Sequence, residues 1–154
     1  MIALKLVRLI ERHSEELAQS LIHKIETSQK CSELRKIPQN EIESRAFEIY
    51  LHLSEWLMNK TEHDIERGYV ELGKHRCHQG IAFNNVFWGI ILTKENLWDF
   101  LQRELVEDSP LELRGEFELL RMLDQFFDRA LYYLSVGYWQ AHQEIMHEHR
   151  LTHV

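Results

Sequence analysis

The chain has 154 residues, 44% of them hydrophobic and 28% charged, and carries a formal net charge of −7 at pH 7. That length reads as one domain over residues 1–154, large enough to bury about two-thirds of the unfolded chain's surface, and the negative charge argues against a nucleic-acid surface. The two cysteines, Cys31 and Cys77, form no CxxC and exclude a disulfide framework or thiolate zinc site. A reducing cytoplasm is the expected home. Met1–Arg8 is too charged for a signal-peptide core, and the apolar run Val86–Leu92 is far too short to span a membrane.

Proline occurs twice and glycine six times, so punctuation is sparse and the pattern predicts five main helices. The first covers Ala3–Thr27, where Leu6, Leu9, Ile10, Leu17, Leu21, Ile22 and Ile25 recur near helical period. A polar connection, 28–40, closes at Pro38. The second helix runs over Gln39–Asn59, with an apolar seam of Ile42, Ala46, Ile49, Leu53 and Trp56. Thr61 and Asp64 approximate a capping box for the third helix, which Gly80 is expected to stop by adopting positive φ.

The fourth helix, Phe83–Leu105, is apolar over most of its girth, which calls for burial on several sides or a partner. Ser109, Pro110 and Glu112 then read as cap, first turn and capping box of a last helix. With no later proline it runs about forty residues, some three times the usual length, which itself asks for a partner helix. Gly115 and Gly137 inside it each cost about 1 kcal/mol relative to alanine, and close helix approach is one reason to keep them. No strand pattern, repeat or linker is present; the expected fold is all-α.

Gly73-Lys74-His75-Arg76-Cys77-His78-Gln79-Gly80-Ile81 resembles the F-helix and following turn of globin-coupled sensors, which read roughly Ile-Gly-x-x-His-x-x-Ile-Gly-Leu. Aligning Gly73 and Gly80 with the family glycines puts Arg76 at the haem-ligand position. A globin-like sensor without that histidine is similar to the RsbR-type, non-haem sensor domains of bacterial signalling proteins. Phe87-Trp88 fall near the family's Trp-Tyr pair, without the proline that often precedes it. The resemblance implies a globin-like bundle, a homodimer built on the last two helices, and a signal passed through the C-terminal helix to an output module or downstream signalling protein. No such module follows here, so a stand-alone sensor, a partner subunit and a fragment all remain open.

Several residues have a functional and a plainer reading. His75 and His78 project about 60° apart on a helix and could ligate haem or a metal; more simply they belong to a basic helix end that complements the helix dipole. Arg76 reads more simply as a surface residue; if buried it needs an acidic partner. Gly73, Arg76, Gly80 and Trp88 are the expected pocket wall and hinge, and Trp98, Phe126 and Tyr133 the expected dimer interface. In the tail, His149 and His153 have metal-site spacing, and Glu144-x-x-His147 mimics half of a di-iron motif whose other half is absent. No catalytic constellation is evident. The favoured expectation is a non-enzymatic cytoplasmic sensory domain with no cofactor. The alternatives are a haem sensor using His75 or His78 and a metal-binding helical bundle.

Overall fold

A computed structural model describes residues 2–59, 61–104 and 110–152, with side chains over 4–59, 61–104 and 117–152. Seven helical segments and no strand occur among them: α1 (Ile2–Arg12), α2 (Ser14–Thr27), a 3-10 segment (Gln29–Lys36), α3 (Gln39–Asn59), α4 (Glu62–His78), α5 (Phe83–Glu104) and α6 (Pro110–Thr152). The all-α expectation holds, and five predicted helices become seven segments. Ser109, the surroundings of Glu112 and Gly115, and His153 lie outside the described residues.

The first predicted helix divides at His13, whose φ of −112° and ψ of 20° fall in the bridge region. Hydrogen bonds continue through the bend: His13 N–H donates to the Leu9 and Ile10 carbonyls, and its own carbonyl accepts from Leu17. The His13 ring packs on Phe100 at 5.3 Å. Both Leu6 and Ile10 before the bend and Leu17 and Leu21 after it are buried. The predicted connection after α2 is the 3-10 segment, which buries Cys31 and Leu34. Asn85 of α5 holds it by accepting from Glu33 N–H and donating to the Glu33 carboxylate, each at 3.0 Å.

One cluster of buried apolar side chains draws on every helical segment. Inside it Asn96 of α5 donates to the Leu17 carbonyl at 3.0 Å and to the Tyr50 hydroxyl at 2.8 Å, and accepts from Ser20. The Tyr50 hydroxyl donates to the Thr93 carbonyl. A buried amide with its partners supplied ties α2, α3 and α5 in one register.

The tightest crossing joins α4 and α6. A Cβ on Gly73 would overlap the Leu134 carbonyl oxygen and lie 3.1 Å from the Gly137 Cα; a Cβ on Gly137 would overlap the Val70 carbonyl oxygen. Close helix approach is therefore why glycine stands at 137. Gly73 lies within continuous helix and serves the same contact; it is not part of the cavity wall described below, correcting the pocket-wall expectation for that residue.

The turn after α4 follows the expected pattern. Gly80 has φ of 77°; its N–H donates to the Cys77 carbonyl at 3.0 Å, and Ile81 N–H donates to the Arg76 carbonyl at 3.1 Å. This is the Schellman arrangement, with buried Ile81 as its hydrophobic contact. The Tyr138 hydroxyl of α6 donates to the Ile81 carbonyl at 2.8 Å, fastening the turn to the long helix. At the other end of α4, Thr61 makes no side-chain cap bond, so the predicted capping box is not formed.

Candidate functional site

Arg76 is 3% exposed, against the plainer expectation of a surface residue. It stands three residues, about one helical turn, after Gly73, so the side of α4 that faces inward at Gly73 also carries the arginine, which reaches Glu41 of α3. Its Nη1 donates to Glu41 Oε1 at 2.7 Å and to Gln79 Oε1 at 2.8 Å. The same Glu41 oxygen meets His75 Nε2 at 2.8 Å. Burial pushes the Glu41 carboxyl pKa up, but hydrogen bonds from His75 and Arg76, and their charges, outweigh it and hold the group below its ordinary value. Burial lowers the Arg76 pKa, opposed by the hydrogen bond and charge of Glu41; a guanidinium nevertheless stays protonated.

Arg76 forms part of the wall of a cavity of about 90 Å³ between α2, α3, α4 and α5. Its lining is mostly apolar, with Leu21, Ala46, Ile49, Leu72 and Ile90 among it, and Gly89 leaves room on the α5 side. Arg45 and Glu48, paired at 2.9 Å, border it. Tyr69 also lines it; its hydroxyl is buried and has no hydrogen-bond partner. The Tyr69 ring meets Phe126 and His52 edge-on, with centroids 6.0 Å and 5.9 Å away.

Of the expected pocket residues, Arg76 borders the cavity and Gly80 makes the turn beside it. Trp88 does neither: it lies under the Lys30 ammonium, 4.1 Å from the ring centroid, because its side of α5 faces the 3-10 segment. His75 and His78 are exposed and outside the cavity; His75 pairs with Glu41, and His78 lies 3.5 Å from Glu144, which Lys74 also approaches at 3.6 Å.

The expected interface residues also separate. Phe126 is fully buried among Tyr69 and Phe127, so it belongs to the intrachain core and not to an interface: α6 turns that side toward α4. Trp98 and Tyr133 are partly buried against the same core. The large apolar side chains that α6 leaves exposed include Phe117, Tyr132, Trp139, Ile145, Met146 and Leu151.

Sequence reasoning missed Glu41 and Tyr69. Glu41 reads as an ordinary first-turn acid and Tyr69 as an ordinary core position. The one available signal was the demand that a buried Arg76 makes for an acid, which does not say which of the chain's carboxylates answers it.

The residues present do not fit haem. The ligand position of the resemblance is an arginine bonded to its own acid, neither His75 nor His78 lines the cavity, whose one histidine among the described residues, His52, packs against the Tyr69 ring, and about 90 Å³ is well below the roughly 300–1,000 Å³ of drug-sized ligand sites. Among the described residues no group of three or more His, Cys, Asp and Glu side chains is arranged to hold a metal ion, and no helix is long and apolar enough to cross a membrane. No protein-family model, curated protein or solved structure matches the chain.

Proposed function

We propose that this chain is a globin-like, non-haem sensory or regulatory domain that works as a cytoplasmic homodimer and passes its signal, without catalysis of its own, through its C-terminal helices to a downstream signalling protein. The observation that carries this reading is the two-sided character of α6. One side is locked onto α4 at Gly73 and Gly137. Another carries Tyr132, Trp139 and Met146, exposed by 63%, 65% and 42% and spaced by seven residues, the repeat of a helix–helix seam. Large apolar residues exposed in a row mark interaction surfaces.

The likeness of residues 73–81 to the globin-coupled and RsbR-type sensors supports the same reading, as do the buried Arg76 and the Schellman turn at Gly80. A packed helical interface with two arrangements is the physical requirement for transmission. Trp98, partly exposed beside the α5–α6 groove, is proposed as a flanking contact.

Sedimentation at micromolar concentration tests the reading. The expected result is a dimer burying more than about 1,000 Å² that dissociates in Trp139→Glu with helical content unchanged. A wild-type monomer, or a Trp139→Glu dimer of unchanged affinity, overturns it.

A further inference from the structure

Arg76 of α4 and Arg45 of α3 both border the cavity between α2, α3, α4 and α5. Each gives its acid a single nitrogen. Arg76 Nη1 donates to Glu41 Oε1 at 2.7 Å and to Gln79 Oε1 at 2.8 Å, and Arg45 Nη1 donates to Glu48 Oε2 at 2.9 Å. Among the described residues Arg76 Nε and Nη2 have no hydrogen-bond partner. Both keep accessible surface, since the buried side-chain atoms that lack surface and partner alike are Ser54 Oγ and Tyr69 Oη. Glu41 and Gln79 stand outside the cavity wall, so Nη1 is turned out of the void. Nε and Nη2 share the other edge of the planar guanidinium, and that edge is the one left for the cavity.

The charges here are unequally screened. The Arg76 side chain is almost fully buried, whereas Glu41 reaches water and is shared with His75. An anion in the void meets the guanidinium through the protein interior, where attraction is several times stronger than through water. It meets Glu41 partly through solvent. A free Nε/Nη2 edge matches the two oxygens of a carboxylate, which accept its N–H groups in parallel. The rest of the wall is mostly apolar, and the Thr93 hydroxyl is committed to the Gly89 carbonyl at 2.8 Å. Entry is available as well. A cleft of about 840 Å³ between α3 and α4 shares Arg45, Glu48, His52 and Gly68 with the cavity, and Gly68 puts no side chain in the way.

We propose that this cavity is a binding site for a short-chain monocarboxylate, with its two oxygens on Arg76 Nε and Nη2 and its hydrocarbon end among Leu21, Leu72 and Ile90. Size sets the chain length. An engineered cavity of about 150 Å³ takes up benzene, so about 90 Å³ suits roughly four or five heavy atoms, the size of acetate or propionate. Arg45, on the stretch of wall shared with the cleft, adds positive charge along the way in. The Arg76–Glu41 bond stays in place, because the ligand uses the other edge. The site lies within one chain, so its occupancy is read separately from subunit association.

Titration of methyl-labelled protein by NMR at pH 7 tests this, with propionate as the probe and propionamide as a neutral molecule of the same shape. Saturable shifts of the Leu21, Leu72 and Ile90 methyls are expected with propionate, and binding about tenfold weaker with propionamide. This comparison uses the wild-type chain and needs no variant. Arg76→Lys keeps the charge and removes the fork, and is expected to bind propionate about tenfold more weakly. Arg45→Gln, at a side chain 39% exposed, is a substitution the fold tolerates and is expected to weaken propionate severalfold with propionamide unchanged. No saturable methyl shift with propionate means that water alone meets the Arg76 edge, and overturns the site. Equal affinity for the two probes, or unchanged propionate affinity in Arg76→Lys, overturns the assignment of the ligand class to the guanidinium.

Discussion

Gly73 and Gly137, sixty-four positions apart in the chain, meet where α4 crosses α6 with so little space that neither tolerates a Cβ. The opposing atoms are backbone, the Leu134 carbonyl on one side and the Val70 carbonyl on the other, so no flexible side chain can yield. Alanine at either position gains about 1 kcal/mol of helix propensity but overpacks by about 1–3 kcal/mol or more. Gly137→Ala is expected to lower stability by about 2 kcal/mol in urea denaturation. An unchanged or raised midpoint would show that the helices stand further apart.

Removing either partner of the Arg76–Glu41 pair should have unequal effects. The Arg76 side chain is 4% exposed and Glu41 27%. Glu41→Ala strands a buried guanidinium and is expected to cost about 3–5 kcal/mol. Arg76→Met leaves a carboxylate that water and His75 can still reach and fills the space with apolar volume, so its cost is expected to be less than half as large. Equal costs in a chemical-denaturation series would contradict the burial asymmetry.

Acid should weaken the fold through the same carboxylate. The Glu41 pKa is depressed in the folded state, so as pH falls the unfolded chain takes up the proton first. The stability that Glu41 contributes is complete above its ordinary value of 4.5 and drains as pH falls from there through the depressed folded value. The stability gap between wild type and Glu41→Gln is therefore expected to be constant near neutrality and to shrink below that value. A gap that persists into strong acid would rule out the depressed pKa.

At Gly80 the backbone angle is what matters. Its φ is 77°, yet a Cβ there would meet no atom within 4 Å. Gly80→Val is therefore expected to cost about 1–2 kcal/mol from left-handed strain alone, while Gly80→Asn costs clearly less. Because Tyr138 bonds the neighbouring Ile81 carbonyl, slowed or hastened hydrogen exchange at Ile81 reports whether the turn holds its shape. Equal melting temperatures for all three proteins would move the turn elsewhere.

Among the described residues another unmet buried hydroxyl belongs to Ser54 of α3. Ser54→Ala removes a desolvated donor and improves helix propensity. A gain of about 1 kcal/mol is expected in thermal unfolding, and a loss would mean that the hydroxyl has a partner.

How much of this was legible depended on range. Gly80 could be read because a Schellman turn is a local pattern: basic helix end, glycine, buried apolar residue. Helical period likewise marked most of α3, α4 and α5. The bend at His13 was hidden because the hydrophobic spacing of Leu9, Ile10 and Leu17 continues across it. Phe126 and Trp139 were equally apolar residues on a helix with more than one apolar face, and only the position of α4 decides that the first is inside and the second outside. Trp88 was drawn into the pocket by its neighbours in sequence, yet Lys30, fifty-eight positions earlier, covers its ring. The cavity was unreadable for the same reason: Tyr69, Ala46 and Ile90 come from three helices, and no local pattern says that they share a void.

Beyond Ala141 none of the described residues of α6 is buried, and Thr152 stands about 22 Å past Gly137 at 1.5 Å per residue. The glycine crossing thus acts as a fulcrum for the fifteen residues of α6 that follow it. A tilt of about 5° there carries Thr152 sideways by about 2 Å. Past Ala141, Lys74 and His78 reach Glu144 across exposed ion pairs of 3.6 Å and 3.5 Å, contacts that typically contribute less than about 1 kcal/mol each. A displacement of a few tenths of an ångström between α4 and α6 is magnified severalfold at Thr152.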